Sequence, residues 1–253
     1  MTPQQIELIK ATVPVLRENG VALTRYFYQR MLKHHPELKN TFNLEHQQND
    51  RQPRALAAAV LAYAEHIENP TVLAKALEHI TTKHVSLNIQ AEQYAIVGEN
   101  LLHSISEVLD VAMDSELIAA WQADYTQLAE LMIAMEAKKY QTLAEQQGGW
   151  IGWRKFKITA IEQLNAVYLF TAMPLDEKLL VEATVDTGIC VRVAVPHQEL
   201  LQPQQFKLSH ITANSYQFAV DAAKNASEYA VNAILIEHYQ VGDVIELSAP
   251  MTV

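Results

Sequence analysis

The sequence holds a single cysteine, Cys190, in 253 residues. That excludes an internal disulfide and any cysteine metal cluster, and it fits a reducing compartment. Positive charge is also scarce: 19 Lys and Arg stand against 29 Asp and Glu, net -10, so nucleic acid and anionic membranes are not expected partners. There is no charged start leading into an apolar stretch and no run of 18 apolar residues, so neither export nor a membrane span is expected. A cytoplasmic protein follows from these absences. Glycine is sparse, at seven residues, and the Gly-x-Gly-x-x-Gly fingerprint of dinucleotide binding is missing. Internal repeats and low-complexity tracts are absent as well.

What is present is enough apolar sequence, 49% of residues against 19% charged, to bury one or two cores. Thr2-Pro3 has the form of an N-cap followed by proline in the first turn, and Ile6, Ile9, Val13 and Leu16 follow at helical spacing, with Pro14 as a blemish. Gly20 breaks that pattern. A second helix is expected to carry Leu23, Phe27 and Met31 on one stripe, with Tyr28 beside it, and to end near His34-His35-Pro36. His34 and His35 are adjacent, so they diverge by about 100° on a helix and read as solvated rather than as a metal pair. Pro36 to Asn43 reads as a short helical corner with Leu38 and Phe42, and Glu45 to Arg51 as a surface loop. Pro53 then opens a helix bearing Leu56, Val60 and Tyr63, with Gln52 at its mouth. Further helices are expected at Thr71 to His84, Ala91 to Leu109 and Ser115 to Gln146.

Two residues in these helices stand out. Leu73, Leu77, Ile80 and His84 recur at spacings of four, three and four, so an apolar stripe ends in an imidazole expected to point inward. Taken alone, such a histidine is more often a core residue bonded to a neighbour than a ligand. In the last helix, Glu136 continues the stripe of Trp121, Leu128 and Met132. A carboxylate there is expensive unless paired, and Tyr94 on the preceding helix is an available partner; the alternative is a helix face that turns to solvent near its end.

From Gly148-Gly149 onward helical spacing gives way to alternation, and five of the seven glycines lie in this part. A domain boundary is expected there, dividing residues 1–147 from 148–253. Strands are expected at Lys155 to Ile158, Val167 to Phe170, Leu180 to Thr184, Ile189 to Val195, Tyr216 to Val220 and Val244 to Ser248. Turns are expected at Asp186-Thr187-Gly188 and Gly242-Asp243, and one helix over Ala222 to His238. This pattern predicts a small antiparallel barrel or sandwich, with Cys190 buried in a strand.

The local wording of the first part resembles the haem domain of bacterial flavohaemoglobins. The resemblance rests on Phe27-Tyr28-Gln29-Arg30-Met31, His35-Pro36-Glu37-Leu38 with Phe42-Asn43, Arg54-Ala55-Leu56, Lys83-His84, Gln93 to Glu99 with Tyr94, and Glu136-Ala137 with Tyr140. Gly148-Gly149-Trp150 with Gly152 and Arg154 resembles the start of that family's flavin-binding barrel. The resemblance implies an all-α globin domain followed by a small antiparallel β-barrel of the ferredoxin-reductase, FAD-binding type. It implies haem b held by His84 as iron ligand, with Tyr94 and Glu136 supporting the imidazole, Tyr28 and Gln52 donating hydrogen bonds to bound oxygen, Phe42 against the haem face and Leu56 as an apolar gate. Lys83 matches a family position near the flavin, but a solvated charge is the safer reading of it.

Departures from the family are concentrated in the barrel. Where the family holds its flavin with an Arg-x-Tyr-Ser segment, this chain reads Gln204-Gln205-Phe206-Lys207. The glycines that cradle the flavin phosphates correspond to Ala223-Lys224-Asn225-Ala226-Ser227. FAD binding is thereby put in doubt, no NAD-binding domain is expected, and reduction by NADH within the chain is not expected. The implied function is a haem protein that binds O2 and NO, with nitric oxide dioxygenase chemistry dependent on a separate reductase. The alternative is an O2 or NO sensing or storage globin whose barrel meets a partner.

Overall fold

The computed structural model describes residues 1–176, 178–184, 187–222 and 227–252. Helices fill the first part of the chain. α1 spans Pro3–His34 and starts with a capping box: Thr2 Oγ1 accepts from Gln5 N while the Gln5 side chain accepts from Thr2 N. The helix runs unbroken through both Pro14 and Gly20, so the two helices expected here are one. Gly20 marks a close approach instead, since a methyl group at its Cα would lie 3.4 Å from Ala57 Cβ. A 3-10 turn, Pro36–Asn40, makes the corner, and a short helix α2, Leu44–Gln48, occupies the expected surface loop. α3 (Arg51–Glu65), a 3-10 turn (Pro70–Leu73), α4 (Ala74–Ser86), α5 (Gln93–Leu109) and α6 (Glu116–Glu145) follow.

The strands are β1 (Arg154–Leu164), β2 (Val167–Pro174), β3 (Thr187–Ala194), β4 (Leu201–Ile211), β5 (Tyr216–Asp221), β6 (Val244–Leu247) and β7 (Met251–Thr252). All described pairings are antiparallel, in the order β4-β5-β2-β1-β6-β3, and pairing of β3 with β4 closes a six-stranded barrel, with β7 added beside β3. Alternation builds its interior: Tyr216, Phe218 and Val220 of β5 are fully buried, as are Phe156 and Ile158 of β1. Phe218 lies 5.7 Å from Phe170 and 5.3 Å from Phe206, which fills the barrel with aromatic rings. β7 aside, three sequence expectations change here. Leu180 to Thr184 is not a strand; Val181 is buried there, and its carbonyl accepts from the Tyr216 hydroxyl at 2.8 Å. β4 was not foreseen, because Pro203 and three glutamines interrupt its alternation. The described helix α7 is Val231–His238, shorter than expected, and 223–226, including the Ala223 to Ala226 stretch, lies outside the described residues, as does Asp186 of the expected turn.

The chain packs as two compact units, neither continuous in sequence. One comprises 1–37, 46–79 and 90–135; the other comprises 38–45, 80–89 and 136–253. In the first, α1 packs along α3 and α5. The second carries the barrel together with the corner after α1, the end of α4 and the last third of α6. Among the described residues no helix is long and apolar enough to cross a membrane.

Candidate functional site

Within the second unit, His84 occupies the last turn of α4. Its carbonyl accepts from Leu87 N and Ile89 N, at 3.1 and 3.0 Å, so the helix closes directly after it. The imidazole Nδ1 lies 2.8 Å from Glu136 Oε1, and Glu136 is only 3% exposed. A carboxylate is an acceptor only, so Nδ1–H is the donor in this bond, which leaves Nε2 outside it. The buried acid on the apolar stripe of α6 therefore has a partner in the histidine itself. One turn further along α6, the Tyr140 hydroxyl donates to Ile89 O at 2.6 Å, and burial, followed by the nearby Glu136 charge, pushes its phenol up. Val85 packs with Leu143 and Ala249, anchoring the other face of the same turn. Phe42, half-buried, follows the corner, with its amide bonded to Leu38 O at 3.0 Å.

The first unit holds a second polar pair. Tyr28 of α1 is 5% exposed, and Gln52 Nε2 donates to its hydroxyl oxygen at 3.2 Å. Gln52 sits in the first turn of α3, and that turn is fixed twice. Thr24 Oγ1 donates to Pro53 O at 2.7 Å, and Arg25 grips Asp50, the left-handed residue before the helix, through two bonds of 2.9 and 2.6 Å. Leu56, one turn on, is half-buried. Burial pushes the Tyr28 phenol up to about 12, partly offset by the bond from Gln52, so it is a neutral donor across the ordinary pH range. Tyr94 of α5 is buried in the same unit, where its carbonyl accepts from the Tyr125 hydroxyl at 2.6 Å.

The flavin segment of the family corresponds to the middle of β4. Gln204 Nε2 donates to Asn232 Oδ1 at 2.5 Å, Gln205 Nε2 donates to Ser86 Oγ at 2.9 Å, Phe206 is buried in the barrel interior, and Lys207 is exposed. A buried acid escaped the sequence reading: Asp124 of α6 is 3% exposed, its Oδ1 makes no hydrogen bond, and neither does Trp121 Nε1 one turn earlier. Burial pushes its carboxyl up to about 7. The spacing of three from Trp121 was signal enough, by the argument that singled out Glu136.

The comparisons with known proteins agree on the architecture. The globin family matches residues 25–132. The flavohemoprotein of Bordetella pertussis is 45% identical over 253 residues, covering 99% of this chain and 63% of that protein. That of Chromobacterium violaceum is 43% identical over 255 residues, covering 99% and 63%. Among solved structures, the flavohemoglobin of Malassezia yamatoensis, determined with bound FAD and heme, superposes with a TM-score of 0.87 at 26% identity over 98% of this chain and 64% of that one. A bacterial globin from Campylobacter jejuni matches at a TM-score of 0.53 and 38% identity, covering 55% of this chain and 99% of that one. Fold and site thus define a globin joined to a closed antiparallel barrel of the flavin-reductase type. The chain belongs to the flavohaemoglobin family, and it spans 63% of the length of these curated relatives.

Proposed function

We propose that this chain is a haem globin that converts NO and O2 to nitrate, with its electron drawn from a reductase site outside residues 1–253. In this reading residues 1–147 form the haem-binding module and residues 148–253 the barrel, and the protein works in the cytoplasm. The observation that carries the reading is the 2.8 Å bond between His84 Nδ1 and the buried Glu136 carboxylate. An imidazole whose Nδ1–H is held by a carboxylate is a more basic ligand through Nε2, which suits oxygen activation rather than simple carriage. Haem, when bound, supplies a redox-active iron that takes diatomic ligands. His84 would hold that iron, with Glu136 and Tyr94 supporting the ring; Phe42 and Leu56 would bear on the porphyrin. Gln52 donates to the Tyr28 oxygen, which leaves the phenol in the donor role, and the pair would steady negative charge on the oxygen ligand.

The reaction balances as NO plus O2 plus one electron giving one nitrate ion. The family's flavin contacts do not fit this barrel: Phe206 has no hydroxyl and is buried, Lys207 is exposed, and Gln204 and Gln205 are bonded to Asn232 and Ser86. That supports an electron source other than a flavin in this barrel. The test is a single turnover of the haem-loaded protein, reduced chemically, freed of reductant, and mixed with O2 and then NO. About one nitrate per haem is expected without added flavin, as one electron per iron requires. NO bound without nitrate would favour sensing or storage instead.

A further inference from the structure

We propose that strand β4, where the family seats its flavin, serves here to position the turn of α4 that carries His84, with Gln205 and Ser86 as the positioning residues. The proposal rests on the haem reading above. Its first support is the way the chain packs: residues 80–89 and 136–145 belong to the compact unit of the barrel, not to that of the other helices. The contacts explain why. Gln205 Nε2 donates to Ser86 Oγ at 2.9 Å, and Ser86 Oγ donates to Lys83 O at 2.8 Å, so a two-bond relay runs from the barrel to the residue next to His84. Lys83 O is among the carbonyls at the end of α4, where helices fray unless their last acceptors are occupied. Ser86 is 4% exposed, so the relay is shielded from competing water.

The neighbouring residues of β4 are committed in the same direction. Leu201 N donates to Asn40 Oδ1 at 2.8 Å, and Asn43 Nδ2 donates to Pro203 O at 2.9 Å. Gln202, fully buried, donates to Lys39 O and accepts from Leu44 N, at 2.8 and 2.7 Å. These bonds join the strand to the corner that bears Phe42. β3 tells the same story, for it is buried along both faces and not only on the barrel side. Cys190, opposite Gln205 in register, is fully buried. β4 is thus bonded both to the turn that carries His84 and to the corner that bears Phe42. Glu136 fixes the imidazole from one side, and β4 fixes the backbone that carries it.

The test uses the full chain loaded with haem and compares Gln205→Leu, Ser86→Ala and Ser86→Thr with the parent. Two quantities are read: the iron–imidazole stretching frequency of the ferrous protein and the rate of haem transfer to apomyoglobin. Losing one buried neutral hydrogen bond predicts about two- to tenfold faster haem loss, together with a lowered and broadened stretching band. Ser86→Thr keeps the hydroxyl and is expected to restore both. Ser86→Ala removes a single oxygen, so it keeps the test open if Gln205→Leu does not fold. A lower melting temperature with both readouts unchanged would reduce β4 to ordinary packing and overturn the proposal. Should His84→Ala retain a normal haem load, the haem reading itself falls; parent haem lost on His84→Ala but untouched by the other variants sinks the positioning role alone.

Discussion

Asp124→Asn is expected to stabilise the helical unit above neutral pH and to flatten its pH dependence. Asp124 is 3% exposed on α6, its Oδ1 is unbonded, and burial lifts its carboxyl from the ordinary 3.8 to about 7. Below about pH 4 the folded and unfolded chains both hold the proton, and the group contributes nothing. Between about 4 and about 7 the folded chain keeps a proton that the unfolded chain has lost, so stability falls by about 1.4 kcal/mol per pH unit as pH rises. Above about 7 the loss is complete, and over the interval from 3.8 to about 7 it amounts to about 4 kcal/mol. The Asp124→Asn variant cannot titrate and keeps the shape, so this slope should vanish. Urea unfolding of the full chain, followed by far-ultraviolet circular dichroism from about pH 5 to about pH 8, measures it. Parallel stability curves for the parent and the variant would refute the reasoning, because they would mean that Asp124 ionises as it does in water.

Further outcomes follow from the other sites. Tyr28→Phe removes the buried hydroxyl bonded by Gln52 and should speed O2 release from the ferrous haem protein by about 10- to 100-fold, the worth of a hydrogen bond to a charged group. With the phenol pushed up to about 12, the parent's release rate should stay level into alkaline solution, and an early rise would contradict the assignment. Gly98→Ala would normally favour a helix, but a methyl group there overlaps the Tyr125 ring. The expected result is a loss of about 1–3 kcal/mol, read as a lower unfolding midpoint, whereas a gain would show that α6 yields easily at Tyr125.

Much of the helical part was legible because helical spacing reports which face is buried. The bounds of α5 and α6 follow from apolar recurrence, the start of α1 from Thr2-Pro3, and the placing of His84 at the end of an apolar stripe from spacing alone. Errors came where local signals compete with packing. Gly20 reads as a breaker, yet inside α1 it provides room for Ala57. Leu180 to Thr184 alternates like a strand, yet Val181 gives its carbonyl to a tyrosine side chain instead of a ladder. β4 lacks a clean alternation in sequence, and its strand is made by pairing with β3 and β5 on either side.

Sequence by itself determined which residues face inward: the stripes that bury Tyr28, Glu136 and the barrel aromatics are written into periods of 3.6 and two. It also carried the family resemblance and the replaced flavin segment at Gln204 to Lys207. Only the tertiary structure decided who meets whom. Glu136 lies 52 residues from His84, and Gln205 lies 119 residues from Ser86. Periodicity constrains the direction of a side chain on its own element but carries no information about which distant element arrives opposite it. That choice is made by the packing of the whole unit, which here gathers the barrel, the end of α4 and the end of α6 into one body.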